Sequence, residues 1–134
     1  MSLDIAERER EGVILLDLKG RITMGDEATS FRTKVQTLTV EGKSNLIFNM
    51  ASVDYIDSTG LGAVVMCSTG LRKAGGSAKL LNLNKRNIEL LVMTKLATIF
   101  EIFTDEQDAV NSFFPGREIK RFDILNFVQQ QNKD

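Results

Sequence analysis

Apolar positions change period along the chain, and the change marks its elements. "LDIAERE" (3–9) alternates apolar and polar residues as a half-buried strand does, and "VILLDLKG" (13–20) follows as a second strand. In "MGDEATSFRTKVQTL" (24–38), Met24, Ala28, Phe31, Val35 and Leu38 fall at steps of four and three, the stripe of an amphipathic helix, with Gly42 as its C-terminal stop. "NLIFNM" (45–50) has three consecutive apolar residues, Leu46, Ile47 and Phe48, which predicts a central strand buried on both faces. "ASVDYI" (51–56) reads as the loop leaving it, and "DSTGLGAVV" (57–65) as the start of a second helix with Leu61, Val64, Val65, Ser68 and Leu71 inward, ending at "AGG" (74–76).

"AKLLNL" (78–83) predicts a fourth strand, and Asn84 is a good N-cap for a third helix with Ile88, Leu91 and Val92 on its inner face. "TIFEIF" (98–103) predicts a fifth strand, and a fourth helical run begins at Asp105 and stops near Pro115. Alternating strands and helices predict an α/β domain: a mixed sheet of four or five strands, helices mainly on one face, the first strand at an edge and "NLIFNM" near the centre. The charged outward residues of "LDIAERE" suit an edge that resists pairing with another chain. We place one domain over residues 1–115 and an extension over 116–134. In the extension Ile119, Phe122, Leu125 and Val128 recur at steps of three. They predict a final helix on the domain's own surface, with self-association through that stripe as the alternative.

Composition narrows the function classes. The 134 residues are enough for one core without disulfide or metal support. A net charge of −1 with scattered lysines and arginines argues against a nucleic-acid partner. The chain has no histidine, which disfavours a Ser-His-Asp triad, a histidine base and most zinc sites. No cofactor or metal is expected: Asp54 and Asp57 are two carboxylates without a third ligand nearby, and no phosphate-binding glycine loop of the G-x-x-x-x-G-K-[ST] type occurs. The lone Cys67 lies in an apolar helical run and reads as a small buried hydrophobe. No apolar run approaches 18 residues, so no membrane segment and a cytoplasmic location are expected.

The residues with chemistry to explain are Asp57, Ser58, Thr59, Gly60 and Gly62, at the predicted start of the second helix. Asp57 or Ser58 can serve as the N-cap. A cap leaves the two glycines unexplained, because glycine costs about 1 kcal/mol against alanine inside a helix. Close approach by another part of the molecule, or by a partner, would explain them. Phosphorylation of Ser58 would add roughly −1.5 to −2 charges beside Asp57, in a helical turn whose free amides tolerate phosphate.

"NLIFNMASVDYIDSTGLGAVV" resembles the signature of STAS domains, the anti-sigma factor antagonist family, in which a strand and a loop lead to Asp-Ser-x-Gly-Leu-Gly opening a helix. "GRITMGDEATSFRTKV" and "KLLNLNKRNIELLVMTKLATIFEIFTDEQDAV" extend the resemblance over about residues 4–114. It implies a regulatory protein and not an enzyme. Ser58 would be phosphorylated by a cognate anti-sigma factor that is itself a serine kinase, and a phosphatase would be a further partner. The unphosphorylated form would bind the anti-sigma factor and release the sigma factor, with Asp57, Thr59, Gly60 and Gly62 forming the docking surface. Many members carry an aspartate three residues after the position of Gly20; Thr23 stands there in this chain, and Asp26 is the acidic residue we take as its substitute. The alternative the resemblance allows is a scaffold or accessory subunit of a signalling assembly or transporter, without phosphorylation.

Overall fold

The computed structural model describes residues 3–131. Its elements are β1 (Leu3–Arg10), β2 (Val13–Ile22), α1 (Asp26–Val40), β3 (Asn45–Ile56), α2 (Ser58–Lys73), β4 (Ser77–Leu81), α3 (Lys85–Met93), β5 (Ile102–Phe103), α4 (Glu106–Asn111) and α5 (Ile124–Gln131), with a single 3-10 turn at Ala97–Ile99. The strands form one sheet in the order β1-β2-β3-β4-β5. β1 is antiparallel to β2, and the other neighbours are parallel. The expected mixed sheet is therefore present, with β1 at an edge and β3 in the middle. β1 and β2 are joined by Glu11 and Gly12, both at positive φ (53° and 84°), the conformation a two-residue hairpin requires.

Neighbouring residues of the central strands serve opposite faces. Ile14, Leu16, Leu46, Phe48 and Leu80 face the larger core, where they meet Phe31, Val35 and Leu38 of α1, Leu61, Val64 and Leu71 of α2, and Leu91 of α3. Val13, Leu15, Ile47, Leu81 and Phe103 face a smaller core closed by Ala109 and Val110 of α4 with Phe113, Phe114 and Ile119. Leu46, Ile47 and Phe48 are all fully buried, which is what three consecutive apolar residues in a central strand require. On the smaller-core side Arg8 of β1 bonds Asp17 of β2 at 2.6 Å and Glu106 of α4 at 2.7 Å, so one guanidinium ties the edge strand to the helix.

Four local expectations are corrected. "ASVDYI" is strand: β3 continues to Ile56, pairing Val53 with Gly20 and Ile56 with Ile22 across register shifts in β2, while Val53 and Ile56 bury their side chains. Met24 is not in the α1 stripe. It precedes the helix, whose N-cap is Gly25 at φ 103°, and it is 72% exposed. "TIFEIF" supplies only a two-residue strand, because its first residues close the 3-10 turn. The four residues Ile119, Phe122, Leu125 and Val128 do not share one helical face. The chain runs without helix over 117–123, where Ile119 packs on the smaller core and Phe122 on the larger, and the Phe122 amide donates to the Ile102 carbonyl at 2.7 Å. This segment bends round the β5 edge and covers it. Only then does α5 begin, with Leu125 66% exposed. Among the described residues no helix is long and apolar enough to cross a membrane.

Candidate functional site

β2 and β3 are parallel neighbours, and Ile22 and Ile56 lie side by side in their register. The turn from β2 into α1 and the entry from β3 into α2 therefore come together at the carboxyl ends of the strands, where open parallel sheets place their binding sites. Asp57 joins the two. Its Oδ1 accepts the Gly60 amide at 2.7 Å, which makes Asp57, not Ser58, the N-cap of α2. Its Oδ2 accepts the Met24 amide at 2.9 Å, and its own amide donates to the Ile22 carbonyl at 3.3 Å. One carboxylate thus caps a helix and clasps the neighbouring turn. The amide of Met24, then that of Gly60, hold the Asp57 carboxyl below the usual carboxylate range.

Replacing Asp57 with alanine removes both side-chain bonds. The expected loss is about 1–2 kcal/mol of stability, in the range of a lost N-cap. Because the folded pKa is depressed, the contribution is present above the unfolded carboxylate value and disappears as pH falls through the folded one. Urea unfolding followed against pH should show a shallower loss on the acid side in Asp57→Ala than in the unmodified chain.

The two glycines separate on geometry. A Cβ built on Gly60 falls 1.8 Å from the Ile22 carbonyl oxygen and 2.6 Å from its carbon, whereas one on Gly62 meets nothing within 4 Å. Gly60 is buried and Gly62 exposed. At Gly60 the close approach is internal: its missing side chain lets α2 lie against the end of β2. Ser58 and Thr59, the first two residues of α2, are exposed. Thr23 is half-buried, and its hydroxyl donates to Glu27 at 3.0 Å. Asp26, in the first turn of α1, is exposed. The carboxylate beside Thr23 is thus Glu27, and the most exposed apolar residue on this surface is Met24; sequence reading missed both. The signal available was Gly25, a glycine that delays the helix and leaves Met24 outside it.

This surface offers hydroxyls, acids and a thioether, with no histidine in the chain to deprotonate Ser58. Asp54, expected in a loop, lies exposed on β3, and among the described residues no group of three acidic, cysteine or histidine side chains could hold a metal ion.

Residues 4–109 match the STAS domain family. The chain is 33% identical over 110 residues to the anti-sigma-B factor antagonist of Bacillus subtilis, covering 82% of this chain and 99% of that protein. Its fold is similar to that of an anti-sigma factor antagonist from Mycobacterium paratuberculosis (TM-score 0.72, 17% identity, 82% of this chain and 92% of that one). It is also similar to the Bacillus cell fate determinant SpoIIAA in its phosphorylated form (TM-score 0.65, 19% identity, 82% and 99%). With the family's match spanning all five strands and the surface built around Asp57 and Ser58, the chain belongs to the STAS domain family.

Proposed function

We propose that this protein is an anti-sigma factor antagonist, a regulatory binding protein and not an enzyme, which switches partners according to the phosphorylation of Ser58. Its similarity to the Bacillus subtilis antagonist, over nearly the whole of that protein, supports the role. The observation that carries the switch is local: Ser58 is exposed at the first position of α2, directly after a carboxylate that backbone amides keep charged. Phosphate there adds roughly −1.5 to −2 charges. The amides and dipole at the start of a 16-residue helix accommodate that charge, so the fold is unchanged. A partner docked over Ser58, Thr59, Gly62 and the Met24–Asp26 turn meets the charge directly. The unmodified form binds the anti-sigma factor, and the modified form releases it.

The test uses a purified anti-sigma factor serine kinase that binds the unmodified protein. Incubated with it and ATP, the protein should gain one phosphate, assigned to Ser58 by peptide fragmentation, and Ser58→Ala should gain none. If an active kinase adds nothing, or adds phosphate equally to Ser58→Ala, the assignment of the switch to Ser58 is wrong.

A further inference from the structure

A groove of about 420 Å³ runs between α1 and α2, from Arg32 to Val40 on the first and Met66 to Leu71 on the second. It begins at Met66, eight residues beyond Ser58, or about 12 Å along the helix axis, so it is separate from the surface described above. Its volume lies within the roughly 300–1,000 Å³ of small-molecule sites. The floor is apolar and buried, made by Val35, Cys67 and Leu71. Val40 and Met66 line it as well, yet they are 88% and 63% exposed, two large apolar side chains left in water beside the same groove. Gly70 lines the other part, and a Cβ there would meet nothing within 4 Å, so this stretch of the wall is open space.

One charge belongs to the groove. Arg32 lines it, is exposed, and forms no ion pair among the described residues. Burial pushes the Cys67 thiol up to about 11, and the Arg32 charge pulls it the other way, so the guanidinium acts on the floor of the groove. A planar cation free of partners at the edge of an apolar trough fits a planar anion carried on a hydrocarbon chain.

We propose that this groove binds a single-chain aliphatic carboxylate, its chain covering Val40 and Met66 and its carboxylate taken by Arg32. The chain replaces water over the exposed apolar residues, and the guanidinium fork gives the head group a charge-assisted pair.

The probe is dodecanoate, titrated calorimetrically into the full chain below its micellar concentration. The expected result is saturable binding at one site. Arg32→Gln should weaken it about tenfold, the size of effect that losing a hydrogen bond to a charged group produces. The uncharged methyl ester should bind the unmodified protein no better than the acid binds Arg32→Gln. Gly70→Leu fills the open wall and should abolish binding, and its melting temperature should not fall, since leucine favours the helix over glycine. Absence of saturable binding in the unmodified protein overturns the proposal, and so does equal binding by all three proteins. Tight binding that Gly70→Leu abolishes but Arg32→Gln leaves unchanged overturns the assignment of a carboxylate.

Discussion

Gly60→Ala should melt well below the unmodified chain, while Gly62→Ala, two residues along the same helix, should melt at the same temperature or slightly higher. Helix propensity favours alanine at both positions by up to about 1 kcal/mol, so any difference between them comes from surroundings. At Gly60 the new methyl would lie 1.8 Å from a backbone oxygen, and backbone cannot swing aside as the end of a flexible side chain can. Helix α2 or the end of β2 must move. Overpacking in a close-packed site costs about 1–3 kcal/mol, and a clash this deep belongs at the upper end. The same Ile22 carbonyl accepts the Asp57 amide, so the displacement also stretches the join between the two turns. A net loss near 3 kcal/mol lowers the melting temperature by roughly 10 °C in a domain of this size. At Gly62 nothing opposes the methyl, and the helix gains. Calorimetric melting of the two variants decides it, and equal melting would show that α2 does not rest on the end of β2.

That contrast shows what the sequence carried and what it did not. The pair Gly60 and Gly62 stood out because glycine is costly in a helix, but the sequence treats them alike. Only the placement of Ile22 beneath one of them separates internal packing from open surface. The order of strands and helices was legible because burial imposes its period: Ala28, Phe31, Val35 and Leu38 face the core of a helix, and Leu46, Ile47 and Phe48 mark a strand covered on both sides. The cap at Asn84 was legible for the same local reason, its side chain accepting the Asn87 amide at 2.8 Å. Where period and partner part company, the reading failed. Residues 51–56 looked like a loop because polar residues interrupt them, yet their pairing with β2 through register shifts holds them in the sheet. Met24 kept the helical spacing but fell before the helix began. In the tail, steps of three suggested one face, whereas the segment passes from one side of the sheet to the other. At the site, the choice of Asp57 or Ser58 as cap was open in sequence and is decided by where the Gly60 amide points. The pairing of Thr23 with Glu27 likewise depended on the turn between them.

If Ser58 is the switch, charge placed there should leave stability nearly unchanged and still remove most of the affinity for the anti-sigma factor. Two local effects on the fold oppose one another in Ser58→Asp. A carboxylate in the first turn of a helix gains about 0.3–1 kcal/mol from the dipole, and the neighbouring Asp57, kept charged by its two amides, repels it. Ser58 is exposed, so the balance should stay within about 0.5 kcal/mol, as for most surface substitutions. A docked partner has no such compensation. It covers the new charge, removes its water and meets two adjacent carboxylates where it had met one. Like charges brought together at an interface cost several kcal/mol. A cost of about 2–4 kcal/mol corresponds to roughly 30- to 1,000-fold weaker binding. Ser58→Ala removes only a hydroxyl and should bind within about threefold of the unmodified protein, a difference of less than 1 kcal/mol. Phosphate, with more charge than aspartate, should have at least the effect of Ser58→Asp. Melting temperature and affinity measured on the same three proteins separate a docking effect from an unfolding one. Equal affinity in all three would mean that the partner does not cover Ser58, and the switch would have to be sought elsewhere on the surface.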